Sequence, residues 1–502
     1  MNTDSTNTLP RADERSLDPD DWEALRSLEH RTLDDMIDYL QSVRPLRSTT
    51  VRNTPPKPMP RSIEYQATFP YTLPSPTRDL KYYKRLPMLL RLTLLILSTL
   101  ALGACGQQSS ESTSTESSAI TTAAPTDLMA KAIEIAHSSI IIDTHIDVPY
   151  RIVDEWEDVT VATQGGDFDY PRAVAGGLNA PFMSIYTPAS LEATGESKAR
   201  AEELIDVVER IVATAPDKFA IARTPDDVEA QFAAGLISLP MGMENGSPIA
   251  GELANVEYFF ERGIRYITLT HSLSNIIADS SYDENKAHGG LSEFGVEVVK
   301  EMNRLGMIVD ISHVSDDAFW QVMDIATAPA IASHSSARHF TEGWERNMSD
   351  DMIKRLAENG GAIMINYGSA FLSQEAHDYG TDRGDAWDAY LEETGQESSD
   401  ELRQTFNDDY AAEHGAYPYA TLEQTLDHFD HVVALTGSVD HVGIGTDYDG
   451  VGDSLPIDLK DVSSYPNLVH GLLQRGYSEE DIKKILGGNL LRIWRAIEAA
   501  AE

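Results

Sequence analysis

Seven side chains that could bind a metal or transfer a proton lie at the ends of short apolar runs in this 502-residue chain. In sequence order they are His145, Asp147, Glu244, His271, His313, His334 and Asp447. The first two end one β-branched run, SSIIIDTHID, and alternate residues of a strand point to the same side. A single histidine at the end of an apolar run is usually structural. Six runs that end in this way indicate a functional site.

The elements that position these side chains alternate between short strands and amphipathic helices, a pattern typical of parallel β/α units. The predicted strands are residues 140–147, 180–186, 237–244, 266–271, 307–313, 328–334, 361–367 and 441–447. The helical patterns between them are residues 198–213, 225–234, 293–305, 316–325, 348–358 and 422–436. Eight such units predict an α/β fold, a (β/α)8 TIM barrel.

Two additions to the barrel are expected. An insertion after the seventh strand, residues 371–419, is rich in acidic and aromatic residues. It is either an acidic surface excursion or a cover for the substrate, because loops of this length usually carry helices or form lids. Two C-terminal helices, near residues 461–473 and 479–499, are expected to close or flank the barrel.

The predicted barrel gathers the seven side chains at one end, because the loops after the strands converge there on the active site. Imidazoles and carboxylates are the ligand set that suits zinc. Glu244 is the natural bridge between two cations, since a carboxylate has two oxygens. Two cations about 3.5–4 Å apart can share a water, lower its pKa and direct the hydroxide at a carbonyl carbon. The chemistry indicated is hydrolysis.

Eight motifs resemble the renal-type, or membrane, dipeptidase family of zinc peptidases, which have an amidohydrolase-like barrel. They are IIDTHIDVP (141–149), GMENG (242–246), RYITLTHS (265–272), GLSEFG (290–295), VDISHVS (309–315), ASHSSAR (332–338), ERN (345–347) and GIGTDYDG (443–450). Each motif alone is modest, but their order is specific. The resemblance covers residues 128–499.

The resemblance implies a metal centre with two zinc ions. It places His145 and Asp147 on one zinc and His313 and His334 on the other, with Glu244 as the bridge. The substrate it implies is a dipeptide, including dipeptides with a D-residue at the C-terminal position.

Three further side chains are implied to act on the substrate rather than on the metals. His271 would stabilise the developing oxyanion, and Arg346 would bind the substrate carboxylate. Asp447 would take a proton from the attacking water and deliver it to the leaving amine. Asn366 continues the match, whereas a substrate-contacting tyrosine of the family falls on Phe371 here, which leaves substrate preference open.

Two alternatives remain at this point. A related barrel metallohydrolase could act on another amide or a lactone, although many of these bridge their metals with a modified lysine on the fourth strand. Residues 266–271 contain no lysine, which favours the glutamate-bridged type. The other alternative, a non-catalytic peptide-binding lipoprotein, would have no need for Asp447 opposite the metal ligands.

Net charge and cysteine content limit the binding partners and the kinds of metal site that the chain can have. The chain has 81 acidic against 39 basic residues and a net charge of −42, which repels nucleic acid and anionic membrane surfaces. Cys105 is the only cysteine, so intramolecular disulfides and multi-thiolate metal sites are excluded. The resemblance also leaves a homodimer open.

The N-terminal quarter reads as a bacterial lipoprotein leader. Residues 88–105 form an apolar signal peptide that ends in Leu-Gly-Ala-Cys105, and a polar linker, 106–126, follows it. A type II membrane anchor or a buried helix is the alternative for this apolar run. We expect lipidation of Cys105 and attachment to the cell envelope facing the periplasm, and Gly106 gives no signal for inner-membrane retention. Residues 1–87 are expected to be a disordered extension or a start-site artefact, and residues 127–502 the dipeptidase domain.

Overall fold

A closed barrel of eight parallel strands is the centre of the molecule. The structure is a computed structural model that describes residues 125–501. Its strands are β1 (Ile141–Ile146), β2 (Leu178–Tyr186), β3 (Phe219–Ile221), β4 (Ile237–Leu239), β5 (Met241–Glu244), β6 (Ile264–Thr268), β7 (Ile308–Asp310), β8 (Ala330–Ser335), β9 (Ala362–Ile365) and β10 (Val442–Ile444). The barrel order is β1-β10-β9-β8-β7-β6-β5-β2, which confirms the predicted (β/α)8 fold.

The predicted strand 237–244 is wrong in one respect, because it is divided at Pro240. The first part, β4, pairs with β3 in a separate two-stranded sheet, and the second part, β5, enters the barrel between β2 and β6. Proline has no amide N–H to donate to a strand ladder, so it suits the point where the chain leaves one sheet for another. Its carbonyl still accepts a hydrogen bond from the amide of Met183, at 2.8 Å.

Helices fill the connections between strands. They are α1 (Pro125–Ser138), α2 (Val148–Ile152), α3 (Tyr170–Gly176), α4 (Ser190–Thr194), α5 (Ser197–Thr214), α6 (Pro225–Ala233), α7 (Ala254–Arg262), α8 (Glu293–Leu305), α9 (Asp316–Ile325), α10 (Asp350–Glu358), α11 (Ser369–Leu372), α12 (Gln374–Thr394), α13 (Asp400–His414), α14 (Leu422–Thr436), α15 (Tyr465–Gln474), α16 (Glu479–Lys483) and α17 (Asn489–Ala500). Short 3₁₀ turns occupy Ser247–Ile249, Arg338–Phe340 and Val439–His441.

Three helices are predicted accurately because a Ser or Thr N-cap marks where each one begins. The predicted bounds of α8, α9 and α14 coincide with the observed ones. Each begins after a Ser or Thr whose side chain accepts an amide N–H of the first turn: Ser292, Ser315 and Thr421. By contrast, the predicted C-terminal helix 479–499 consists of α16 and α17 separated by a π-helical turn, Lys484–Gly488.

The interior of the barrel is packed separately from the layer between strands and helices. Phe182 of β2 lies between Tyr266 of β6 and Trp494 of α17, with ring centroids 5.5 Å away in both cases. All three side chains are buried in one cluster with residues of β1, β7, β8 and β9. Asn489 donates hydrogen bonds to the carbonyls of Val439 and Val442, where β10 begins. Helix α17 therefore closes the N-terminal end of the barrel.

The predicted insertion is largely helical, with α12 and α13 as its main elements. The ring of His377 in α12 lies 4.5 Å from that of Trp344, which brings the start of the insertion beside the loop that carries Arg346. The predicted N-terminal extension, the signal peptide and residues 106–124 of the predicted linker lie outside the described residues, whereas Pro125 and Thr126, the last two linker residues, begin helix α1. Within the described part of the chain, no helix is long and apolar enough to cross a membrane.

Candidate active site

The barrel brings all seven predicted side chains to the C-terminal ends of its strands. His145, Glu244 and His334 lie within the last two residues of β1, β5 and β8, and Asp147 directly follows β1. The other three, His271, His313 and Asp447, come three residues after β6, β7 and β10. The strands predicted to end at those three residues are thus shorter than expected, since the chain turns at the strand end to aim each side chain inward.

Glu244 is the centre of the site, and its two carboxylate oxygens face different imidazoles. Oε2 lies 3.3 Å from Nε2 of His145. Oε1 lies 3.1 Å from Nε2 of His313 and 3.4 Å from Nε2 of both His334 and His271. This carboxylate therefore connects two groups of potential ligands, one on each oxygen.

Asp147 and Asp447 complete the side of the site that contains His145. Oδ2 of Asp147 lies 3.4 Å from Nε2 of His145, and ligand atoms of these three residues lie within 4.8 Å of one another. Asn366 donates from Nδ2 to Oδ2 of Asp447 at 2.8 Å. The backbone amide of Asp447 also donates to the carbonyl of His145 at 3.1 Å, which fixes β10 against β1 at the site.

The backbone is strained where it delivers two of these side chains. His313 and Asp447 have φ values of 68° and 64°, in the left-handed region that non-glycine residues rarely adopt. Gly450 has no space for a side chain, because a Cβ there would meet the carboxylates of Asp447 and Asp147. The close approach of these carboxylates thus requires glycine at position 450.

Burial and charge shift the pKa values of the imidazoles in different directions. Burial lowers the pKa of His271, and it lowers those of His313 and His334 further. Burial also acts to lower the pKa of His145, but Tyr266 and the carboxylates of Glu244 and Asp147 raise it well above its usual value. Neutral imidazoles expose a lone pair, the form in which histidine binds metal.

The pKa values of the Glu244 and Asp447 carboxyl groups are shifted in opposite directions. Burial opposes ionisation of Glu244, but the imidazoles of His145 and His271 hold its pKa well below the usual range. Burial, reinforced by Asp147 and Glu244 and opposed by His145, raises the pKa of Asp447 to about 7.

Several buried polar atoms of the site have no hydrogen-bond partner within the described chain. They are Nε2 of His145, Oδ1 of Asp147, Nδ1 of His271, Nδ1 of His313 and Nε of Arg346. Unpaired buried polar atoms are rare because each costs about 1–3 kcal/mol. Nε2 of His145 and Oδ1 of Asp147, together with the Nε2 atoms of His313 and His334 only 2.8 Å apart, fit two divalent cations in the site.

Arg346 is a buried cation at the edge of the site. Its guanidinium donates to Oγ of Ser335 at 2.7 Å and to the carbonyl of His334 at 2.8 Å. Its guanidinium carbon lies 5.1 Å from the ring centroid of Phe371. Among the described residues, no carboxylate forms an ion pair with it, although it is only 3% exposed. A buried guanidinium without a carboxylate is a ready site for an anion.

Tyr266 and two other aromatic residues belong to the site but were not predicted. The hydroxyl of Tyr266 lies 2.8 Å from Nδ1 of His145 and donates to the carbonyl of Thr144 at 3.1 Å. The rings of Tyr186 and Tyr282 lie 4.6 Å from His271 and 5.8 Å from His313. A tyrosine inside an apolar run is expected to be a core residue. The contact of Tyr266 with His145 is evident only in the folded structure.

Comparison with known sequences identifies the family. The model of the membrane dipeptidase family, peptidase family M19, matches residues 129–502. An uncharacterized dipeptidase of Schizosaccharomyces pombe is 31% identical over 373 residues, which cover 71% of this chain and 81% of that protein. Dipeptidase verJ of Clonostachys rogersoniana is 32% identical over 388 residues, covering 74% of this chain and 88% of that protein.

Solved structures agree with the sequence matches. The probable dipeptidase PvdM from Pseudomonas aeruginosa aligns with a TM-score of 0.66 and 27% identity, covering 75% of this chain and 100% of that one. A metallopeptidase from Rhodobacter sphaeroides shares the fold, with a TM-score of 0.59, 23% identity and coverage of 72% and 99%. The family match spans the whole barrel and all seven side chains. The chain therefore belongs to the membrane dipeptidase family, peptidase family M19, a family of metal-dependent dipeptidases.

Proposed function

We propose that this chain hydrolyses dipeptides with two zinc ions held by His145, Asp147, Glu244, His313 and His334. The observation that carries the proposal is the position of Glu244, with one oxygen 3.3 Å from His145 and the other 3.1 Å from His313. Two zinc ions would supply a hydroxide at neutral pH and polarise the scissile carbonyl. The remaining steps depend on side chains of the chain itself.

Arg346 is proposed to bind the C-terminal carboxylate of the substrate. Its buried guanidinium has no carboxylate partner among the described residues, and its unpaired Nε leaves a donor available. A substrate held there by its carboxylate can present only the first peptide bond to a centre a fixed distance away. A dipeptide meets this requirement, because its one peptide bond is next to its C-terminal carboxylate.

His271 and Asp447 are proposed to stabilise charge and move protons. His271 is 19% exposed at its side chain, the most accessible of the four imidazoles around Glu244, so its Nε2 can donate to an oxyanion. Asp447 lies beside His145 and Asp147 and is fixed by a hydrogen bond from Asn366. From that position it can accept the proton of the attacking water and return it to the leaving amine.

The test combines metal analysis with a substrate panel on the purified full-length chain. We expect about two zinc ions per chain, hydrolysis of dipeptides but not of tripeptides or dipeptide amides, loss of activity with chelator and recovery with zinc. Hydrolysis of lactones or N-acyl amino acids in preference to dipeptides would favour the related metallohydrolase instead. Zinc binding without turnover of any of these substrates would favour a peptide-binding protein.

Attachment to the cell envelope through a lipid on Cys105 is a separate proposal. It is supported only by the sequence Leu-Gly-Ala-Cys105 after an apolar run and by the polar segment that follows. Metabolic labelling with a fatty acid should mark the wild-type chain and not Cys105→Ser. Equal labelling of both chains would refute the anchor. Homodimer formation likewise stays a prediction, to be checked by light scattering.

A further inference from the structure

Two carboxylates outside the proposed ligand set are completely buried beneath the active site. Asp143 lies in β1, two residues before His145, and Asp310 ends β7, three residues before His313. Both are 0% exposed, and within the described chain neither forms an ion pair with a lysine or arginine. Burying a carboxylate is costly unless it receives several hydrogen bonds. The donors that each receives show what each one holds in place.

Asp143 connects the ends of β1 and β10. Its Oδ1 accepts the amide N–H of His145 at 3.1 Å and that of Thr446 at 3.0 Å. Its Oδ2 accepts the hydroxyls of Thr446 at 2.5 Å and Tyr465 at 2.6 Å. Thr446 directly precedes Asp447. One carboxylate thus fixes the backbone at or next to two side chains on the same half of the site.

Asp310 makes the corresponding connection between β7 and β8. Its Oδ1 accepts the amide N–H of Ser312 at 3.1 Å and that of Ser333 at 2.8 Å. Its Oδ2 accepts the hydroxyl of Ser333 at 2.6 Å and the hydroxyl of Thr268. Ser312 and Ser333 directly precede His313 and His334 in the sequence, the two imidazoles on the other half.

We propose that Asp143 and Asp310 are positioning residues, each of which orients the ligands of one half of the metal centre. Asp143 serves the half with His145 and Asp147, and Asp310 serves the half with His313 and His334. The inference rests on the proposed two-metal function. Its basis is that the same arrangement occurs twice. In each carboxylate one oxygen accepts two backbone amides and the other accepts two hydroxyls. Each of these amides belongs to a proposed ligand or to the residue directly before a proposed ligand or proton carrier.

The same bonds would also stabilise the barrel, so the test must separate positioning from stability. Asparagine has the same shape as aspartate, but its Nδ2 donates where Oδ2 accepts two hydroxyls. Metal affinity is the readout that a purely structural role would leave unchanged, because affinity is measured on the folded, metal-free chain. Losing a residue that orients metal ligands typically costs about 10–100-fold in metal affinity.

The experiment uses the full-length chain, stripped of metal and titrated with zinc against a competing chelator. His313→Gln is made first, so that only the half containing His145 remains to be titrated. In that background, Asp143→Asn should weaken zinc binding about 10–100-fold, whereas Asp310→Asn should leave it unchanged. In the reciprocal background, His145→Gln, the two effects should be exchanged.

Two further variants protect the test against misfolding and against a general loss of stability. Thr446→Val and Thr268→Val each remove one hydroxyl donor from one carboxylate, with an expected loss of about 3–10-fold at the matching half only. Asn489→Ala removes a buried amide at the far end of the barrel, and it should lower the free energy of unfolding without changing zinc affinity.

The outcomes separate the two levels of the proposal. Equal effects of Asp143→Asn and Asp310→Asn in both backgrounds, or no effect on affinity in either, would overturn the assignment of one carboxylate to each half. Wild-type chain that binds fewer than two zinc ions would overturn the two-metal function itself, and this titration is done before any variant is examined.

Discussion

The two ends of the barrel differ in what their buried surfaces are made of. At the N-terminal end, Trp494 of α17 packs on Phe182 inside the strands, within an almost wholly apolar cluster. At the C-terminal end, the buried residues include several imidazoles and the carboxylates of Asp143, Asp147, Glu244, Asp310 and Asp447. Apolar burial stabilises a fold by about 25 cal/mol per Å², whereas buried charge usually costs stability. The N-terminal end of the barrel therefore contributes chiefly to the stability of the fold, and the C-terminal end carries the residues that can do chemistry.

Backbone strain follows the same division. The described residues other than glycine with positive φ are Asn245, Ala250, His313, Asp447 and Asp449. All of them lie in loops that follow β5, β7 or β10 at the C-terminal end. Each such residue costs about 1–3 kcal/mol and persists only where the surroundings enforce it. Strain is therefore concentrated at the C-terminal end, where two of these five residues, His313 and Asp447, belong to the candidate site.

The largest expected effect is on activity at the C-terminal end. Glu244→Gln replaces the carboxylate between the two groups of imidazoles with a neutral amide, which cannot balance two cations. We expect kcat/KM for a dipeptide to fall about 10⁴-fold, equivalent to about 5 kcal/mol, with loss of bound zinc. Circular dichroism of the metal-free chain checks that the variant is folded.

The control for this variant is Ser184→Ala, which removes only the hydroxyl donor 3.2 Å from Oε2 of Glu244. It should reduce kcat/KM by about 10-fold or less. Retention of zinc and of full activity in Glu244→Gln would end the assignment of Glu244 as the bridging ligand.

The opposite result is expected at the N-terminal end. Trp494→Ala removes a fully buried ring that fills the barrel interior, and such changes cost about 3–5 kcal/mol of unfolding free energy. Chemical denaturation measures that loss. Zinc stoichiometry and kcat of the folded fraction should match those of the wild type, and a large drop in kcat at full zinc occupancy would contradict the division between the two ends.

The fold could be predicted from the sequence because its signals are local and repeated. Short apolar runs with β-branched residues and helices that start at Ser or Thr caps occur in strict alternation, and α8, α9 and α14 were predicted to the residue. The exceptions involve information outside the local pattern. Pro240 divides a run that looks continuous, and the π-helical turn Lys484–Gly488 interrupts a periodic helix where the chain passes beneath the barrel.

The candidate site could be predicted less completely. Residues at strand ends, such as Glu244 and His334, were found because polar residues are conspicuous after apolar runs. Asp143 and Asp310 were not, because a carboxylate within a strand carries no mark of its role until the neighbouring strand supplies donors. Tyr266 was missed for a similar reason, since β6 and β1 are not neighbours in the barrel and only its closure brings the hydroxyl across the interior to His145.

An effect of intermediate size on activity is expected for Arg346, at the C-terminal end of the barrel. Arg346→Lys keeps the charge but loses the planar fork that can bind a carboxylate through two hydrogen bonds. We expect kcat/KM for dipeptides to fall about 100-fold, or about 2.7 kcal/mol, mainly through a higher KM. Dipeptide amides are the control substrates: the preference for a free carboxylate should shrink in the variant. An unchanged ratio of the two rates would show that Arg346 does not bind this group.

The smallest expected effect is on the pH dependence of stability at the C-terminal end. It concerns His428, which forms hydrogen bonds beneath the loop that carries Arg346. The buried His428 accepts the amide N–H of Ala337 at Nδ1 and donates from Nε2 to the carbonyl of Leu372. Burial lowers its pKa to about 3, with His431 and His339 contributing. Below about pH 6.5 this histidine is therefore protonated in the unfolded chain but stays neutral in the folded chain. The free energy of unfolding decreases as the pH is lowered from about 6.5 to about 3.

For His428 this amounts to about 1.4 kcal/mol of unfolding free energy between pH 7.5 and pH 5.5. Many carboxylates also titrate on acidification, so the measurement is the difference between the wild type and His428→Gln, which cannot titrate. That difference should narrow by about 1.4 kcal/mol over this range. Trp494→Ala is the matched control, because an apolar contact has no proton to gain and its stability difference should not change with pH. A constant difference for His428→Gln would show that the imidazole takes up a proton within the folded protein, and that this end tolerates charge more readily than its burial implies.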